Sequence, residues 1–516
     1  MTLKRLILTL LTVMVVGLAG VSLASSWNQP QIQSRLELYQ TNLLLHGSEY
    51  AGENSEDPSL KSVQSLLGQQ LIETALIQYQ AVRESTQAIL RANRVRLEAT
   101  EASLQIREGD TPPVKLLKAS IKDGESYLDD LDLRIGILQV YQGEVNAGLA
   151  AWGAIADRPY SPTRVEAAAT AATLSGLWSD SPSLEPNGEE LLQTNLDGWF
   201  RYQAFSQLYE MQGRTKELTT LQAKEQEIAQ KALFKLVLIG ALPVVGLILG
   251  GSLMIFLVVQ VLLQPEKAIL TLPSDSDEEG IWQTPWDWET IWQVLIVGFF
   301  CVQQIFLPLV LGLIPIKASQ LSVRLQSFYV LGTYVLLAGG GFLVIYLSLK
   351  PFLPLPKGWF RFNWRSNWFL WGFGGYLVAL PLVILVSLIN QQIWQGQGGS
   401  NPLLPIALDN QDSLALVVFF FTASIAAPLF EEVMFRGFLL PSLTRYQSPW
   451  SAIALSSLLF AIAHLNVSEV LPLATLGMVL GFIYVRSENL LAPMLLHCLW
   501  NSGTLLSLFI LGSSVT

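Results

Sequence analysis

The chain has 516 residues, 51% of them hydrophobic and only 14% charged, and its mean hydropathy is +0.41. A soluble protein of this length carries more charge, so an ordinary soluble globule is excluded, and the net charge of −10 excludes a generally basic, nucleic-acid-binding surface. The two cysteines, Cys301 and Cys498, lie inside apolar blocks, which leaves neither a disulfide framework nor a cysteine metal site.

At the N-terminus, Lys4 and Arg5 precede an apolar run from Leu6 to Ala24. Ser22 and Ala24 are small enough for a cleavage site, yet the run is long enough to span a bilayer, for which about 20 helical residues suffice. Residues 1–26 are therefore a signal peptide or a membrane anchor, and the reading favours the uncleaved anchor. Residues 27–234 are polar and contain no spanning run. The stretch LIETALIQYQAVRESTQAILRANRVRLEATEASLQ has helical apolar spacing. RIGILQVYQGEVNAGLAAW (134–152) aligns with AFSQLYEMQGRTKELTTLQ (204–222), so that Gln142-Gly143 matches Gln212-Gly213 at an offset of 212 − 142 = 70, two periods of 35. That spacing suggests tetratricopeptide-type helical hairpins, whose period is about 34 residues, with the glycine ending the first helix of each hairpin. The intervening copy, SPTRVEAAATAATLSGLWSD, is degenerate, and an unspecialised helical bundle is the alternative. His46, in this polar region, reads as an ordinary surface residue.

Residues 235–289 read as a transmembrane helix and an acidic, then tryptophan-rich linker, and the tryptophans of LPSDSDEEGIWQTPWDWET (272–290) suit a membrane interface. From there the apolar blocks run 236–263, 290–316, 327–349, 367–390, 413–443, 450–465, 469–485 and 489–512, which with the first run makes nine candidate spans. Lys4 and Arg5 put the N-terminus in the cytoplasm and 27–234 on the external or lumenal side. Alternation then places Lys350, Lys357, Arg361, Arg365, Arg445 and Arg486 inside and the Lys/Arg-free loop 391–411 outside, with Lys317 and Arg324 as exceptions. The expected fold class is an all-α integral membrane protein. It is a polytopic helical bundle of about eight C-terminal spans plus an N-terminal anchor or signal, with an extramembrane helical, tetratricopeptide-like domain. The expected location is a bacterial inner or internal membrane.

Three polar groups interrupt the last apolar blocks. In LFEEVMFRGF (429–438), Glu432 and Arg436 are i,i+4 and share a helix face, whereas Glu431 lies about 100° away. A charge at the bilayer centre costs about 2.5–3.5 kcal/mol on insertion scales, so such residues are paired or functional. Glu432 reads as the partner of Arg436, and Glu431 as free for another task. Phe460 and His464 are i,i+4 in the next block, and His497 and Asn501 are i,i+4 in the last, so two of the three histidines fall inside apolar helices. Glu431 is 14 residues before Arg445 and His464 is 15 residues after Pro449. At 1.5 Å per residue both lie roughly 20 Å above the same loop; His497 is shallower but within reach once tilt is allowed, so Glu431, His464, His497 and Asn501 can converge on one intramembrane cavity. There a carboxylate can take a proton from water. One histidine can hold that water, and the other histidine with the asparagine can donate to an oxyanion. The alternative use is zinc held by Glu431, His464 and His497; asparagine is a poor zinc ligand, which tilts the reading toward no required cofactor. Gly477 and Gly481 form a GxxxG suited to close helix packing.

EEVMFR (431–436), FAIAH (460–464) and HCLWN (497–501) resemble, complete and in order, the EExxxR, FxxxH and HxxxN signatures of the CPBP intramembrane protease family, also called the CAAX prenyl endopeptidase or Abi family. The likeness covers roughly 410–505, within a polytopic domain at 290–516. It implies proteolysis inside the bilayer, with Glu431 activating water beside His464, and His497 and Asn501 stabilising the oxyanion. Glu432 and Arg436 are then supporting members, and Phe460 shapes the cavity. The family is often described as metalloproteases, while a metal-free glutamate mechanism is argued for members of this type. Its eukaryotic branch trims prenylated CAAX proteins, and its bacterial branches include bacteriocin self-immunity proteins. The expected partners are a membrane-associated protein substrate, the lipid bilayer and a protein recruited through 27–234, with no nucleic acid. The competing functions are a catalytically silent scaffold or immunity-type protein and a proton-coupled transporter.

Overall fold

The computed structural model describes residues 2–27, 33–50, 71–103, 112–158, 162–179, 181–183, 185–272, 282–313, 321–394, 397–400 and 412–512. The acidic part of the linker (273–281), Lys317 and the loop residues 401–411 lie outside them. All regular elements among the described residues are helical, and the chain divides into two compact units, 33–239 with the last three residues, and 1–32 with 240–513.

The first unit holds α2 (Gln33–Ser48), α3 (Leu71–Ser103), α4 (Pro112–Tyr141), α5 (Val145–Ala156), α6 (Pro162–Trp178), α7 (Gly188–Asn195), α8 (Gly198–Met211) and the start of α9 (Thr215–Leu263). Two of its turns are built alike. After α4, Gly143 adopts φ +89°, its N–H donates to Val140 O, and the Glu144 N–H reaches Gln139 O at 2.9 Å. After α8, Gly213 adopts φ +65°, its N–H donates to Glu210 O, and the Arg214 N–H reaches Tyr209 O at 2.9 Å. Both are Schellman caps, which need a left-handed residue that only glycine supplies without strain. Trp152, Trp199 and Phe200 are fully buried between these hairpins. His46 is a correction: it is buried at 3% exposure, with Nδ1 2.5 Å from Glu225 Oε1. A histidine in a polar segment can be a core residue when a buried carboxylate answers it.

The second unit is the multi-pass membrane part. Among the described residues, eight helices are long and apolar enough to cross a bilayer. They are α1 (Leu3–Ser26), α9, α10 (Trp288–Gly312), α11 (Val323–Leu349, extended by a short 3-10 turn), α12 (Trp368–Trp394), α13 (Ser413–Leu443), α15 (Val470–Ser487, preceded by a 3-10 turn) and α16 (Leu491–Gly512). The ninth expected segment is α14 (Pro449–Ile462), a shorter apolar helix of 14 residues. Helix α1 packs on the bundle: Trp292 Nε1 donates to Thr12 Oγ1 at 2.8 Å, and Arg5 pairs with Glu289 at 2.7 Å. The linker tryptophans divide. Trp288 is exposed, but Trp282 and Trp286 are buried, and Trp286 donates to Ser442 Oγ at 2.9 Å.

Among the described residues, three stretches widen to π-helix: Val294–Phe306 in α10, and Thr422–Ala426 and Val433–Leu439 in α13. Each ends two residues before a proline, at the step into Leu307-Pro308, Ala427-Pro428 and Leu440-Pro441. The last N–H before each proline reaches back five residues, Leu307 to Val302, Ala427 to Thr422 and Leu440 to Phe435. Proline removes a donor and its ring crowds the carbonyl four residues back. Taking in one extra residue relieves that crowding and turns the following side chains by about 100°.

Candidate active site

Glu431 and Glu432 sit between the two π segments of α13, and the sites they face differ completely. Glu432 is fully buried, and its Oε1 accepts from Arg436 Nη1 at 2.8 Å and from His497 Nδ1 at 2.8 Å. Arg436 is also fully buried; its Nη2 donates to Gly477 O at 3.3 Å, and its guanidinium lies 4.5 Å from the Phe460 ring centre. A Cβ on Gly477 would stand 2.8 Å from Ser457 Cβ, so glycine permits the close approach of α14 and α15. Phe460 is the hub of the site, with edge-on ring contacts to Phe435, His464 and His497.

Glu431 instead lines a cavity of about 180 Å³. Phe299, Leu337, Phe435 and Ala463 give it apolar walls, and Gln303, Tyr334, His464, Asn466 and Glu469 add polar groups. Tyr334 Oη donates to Glu431 Oε1 at 3.2 Å, while Glu431 Oε2 is buried without a hydrogen-bond partner. His464 does not lie in the helix proper: α14 ends at Ile462, and Leu465 turns the chain with φ +61°. That left-handed residue, strained for leucine, reverses the backbone so that His464 and Asn466 both face the cavity. His464 Nδ1 is 2.9 Å from Phe460 O. A carbonyl only accepts, so Nδ1 carries the hydrogen, and in the neutral ring Nε2 keeps its lone pair.

His497 and Asn501 are placed differently. His497 is buried behind the cavity, held by Glu432, with Nε2 3.9 Å from Glu431 Oε2. Asn501 Nδ2 donates to Ala423 O at 2.7 Å. The π segment explains this bond. The N–H of Ala427 is taken by Thr422 O, and residue 428 is proline, so Ala423 O needs a donor from another helix. Neither His497 nor Asn501 is among the described residues lining the cavity.

Among the described residues no three His, Cys, Asp or Glu side chains gather closely enough to hold a metal ion. As arranged, Glu431, His464 and His497 do not form a three-ligand set. Sequence reasoning missed Tyr334, which carries no motif, and Gln303, whose signal was the polar pair Gln303-Gln304 inside an apolar span. It also missed that His497 leans on Glu432.

Residues 413–503 match the family model of type II CAAX prenyl endopeptidase Rce1-like proteins. The matched segment contains all three motifs. The chain is 25% identical over 133 residues to "Putative membrane peptidase YdiL" of Bacillus subtilis, a stretch that covers 26% of this chain and 53% of that protein. It is 28% identical over 142 residues to "Membrane-embedded CAAX protease MroQ" of Staphylococcus aureus, covering 25% of this chain and 54% of that protein. An 81-residue stretch is 41% identical to "Uncharacterized 24.3 kDa protein" of Escherichia coli, covering 15% of this chain and 37% of that one. The chain thus spans about half the length of the first two relatives. No solved structure matches.

Proposed function

We propose that the chain is an intramembrane endopeptidase that hydrolyses peptide bonds of membrane-associated proteins, with Glu431 as the general base. The observation that carries this reading is the division between the two glutamates. Both leave Oε2 unpaired, but Glu432 is fully buried and locked by Arg436 and His497, while Glu431 lines a cavity that it shares with His464. Glu431 Oε2 takes a proton from water as the water oxygen adds to the substrate carbonyl carbon. His464 Nε2 accepts the water's second hydrogen and so aims it. The resulting oxyanion is met by His497, whose Nε2, when protonated, donates from the direction of Glu431. The C–N bond then breaks, and Glu431 returns its proton to the leaving amine. Tyr334 holds Glu431 Oε1 and so keeps Oε2 turned to the water. Asn501 holds α13 through Ala423 O and carries a second amide hydrogen for the oxyanion side. The match to Rce1-like proteins and the likeness to a relative named as a CAAX protease support membrane-anchored proteins as the substrate class.

The test is proteolysis by the purified full chain in nanodiscs, run in ¹⁸O-labelled water. The account predicts one ¹⁸O in the new carboxyl terminus and loss of cleavage of at least about 100-fold in Glu431→Gln, the usual span for a general base. It also predicts that cleavage survives dialysis against a chelator. Loss of activity on chelation, restored by zinc, would replace the glutamate mechanism with a metal one.

A further inference from the structure

A second side chain of the same cavity carries an acceptor without a partner. Gln303, in the π segment of α10, lines the cavity, and its Oε1 is buried with no hydrogen bond. Phe299, four residues earlier, lines it too, with Leu337 and Phe435 completing the apolar wall. An amide oxygen left unpaired in such surroundings destabilises the fold. Glu431 Oε2 is unpaired for a reason the hydrolysis supplies. Gln303 has no part in that chemistry, so its unpaired atom awaits something that enters the cavity.

A peptide about to be cut in a bilayer needs such an acceptor. To expose its scissile bond it must leave the helical state, and its backbone N–H groups then have no water and no intrahelical carbonyl to bond. We propose that Gln303 is a substrate-positioning residue, whose Oε1 accepts a hydrogen bond from a backbone N–H of the extended substrate close to the scissile bond. The substrate class this implies is an unwound main chain recognised by its amide donors, with any side chain at that residue. This inference rests on the hydrolytic reading of the same cavity.

The test uses the full chain in nanodiscs and an internally quenched decapeptide chosen from a random library because the wild type cuts it. In a series of analogues, each backbone amide is replaced in turn by an ester, which removes one N–H. Gln303→Met keeps the side-chain length and removes the acceptor. We expect it to raise KM about tenfold, the factor that corresponds to about 1.4 kcal/mol, with kcat within about threefold and a melting temperature no lower than wild type. One ester position should raise KM of the wild type by the same factor and cost Gln303→Met nothing further, as coupled partners do. If Gln303→Met unfolds, Gln303→Leu is read in the same way. An unchanged KM, or ester losses that simply add in the variant, overturns the assignment while leaving hydrolysis intact. Equal cutting by wild type and Glu431→Gln overturns the hydrolytic reading itself, and this inference with it.

Discussion

At the scale of single residues, the site turns on two adjacent glutamates in opposite circumstances. Glu432, Arg436 and His497 form a buried chain of charge-assisted hydrogen bonds. Removing one member leaves the others uncompensated, so Glu432→Ala should destabilise the fold by about 3–5 kcal/mol, measured by unfolding in detergent. Glu431 has no such structural load, and Glu431→Gln should keep the wild-type melting temperature while cleavage disappears. Much of this was legible in the sequence. The i,i+4 spacing of Glu432 and Arg436 dictated their pairing, and the depth argument brought Glu431 and His464 to one level. The hydrogen bond from His497 to Glu432 was not legible, because spacing within one helix says nothing about which residue of another helix will meet it. Tyr334 was hidden for the same reason: a lone tyrosine in an apolar span has no local signature.

At the scale of elements, three prolines explain the irregular helices that carry the site. Pro428 and Pro441 bracket the glutamates, and each is preceded by a π segment that re-aims the following turn. The bond from Asn501 to Ala423 O follows from the donor that Pro428 lacks. Asn501→Ala should therefore destabilise by about 1–3 kcal/mol. In a Pro428→Ala background, where residue 428 regains its N–H, that penalty should shrink, and a double-mutant cycle on melting curves measures the difference. An undiminished penalty would mean that Asn501 stabilises the fold by another route. Proline in the sequence does not by itself reveal whether a helix breaks, bends or widens; that depends on what packs beside it. In the polar unit, Gly143 and Gly213 were readable as helix ends because the left-handed cap needs glycine. Gly143→Ala should cost about 1–2 kcal/mol, read as a lower unfolding midpoint of the full chain.

At the scale of the whole molecule, the blocks of hydrophobicity located each helix that is long and apolar enough to span among the described residues, since lipid demands runs that a soluble core does not. Composition could not separate interface tryptophans from core ones: Trp286 became a buried packing residue while Trp288 stayed exposed. Nor could it foresee that His46 would be buried against Glu225. We propose that the unit at 33–239 recruits substrates or partners, a reading motivated by its two matching hairpins. Deleting it should slow cleavage of a natural membrane substrate at least about tenfold while leaving cleavage of a short peptide within about twofold. Equal rates on both would remove the recruiting role.

The central claim is that Glu431 does chemistry on other membrane proteins. The measurement that meets it most directly compares intact membrane proteins, by mass spectrometry, in cells carrying the wild-type chain, Glu431→Gln at equal abundance, or no chain. The account predicts that the same proteins remain uncut in Glu431→Gln cells and in cells lacking the chain, and are shortened in wild type. If Glu431→Gln cells match wild type while cells lacking the chain differ, the protein works without this glutamate, and the catalytic account is wrong.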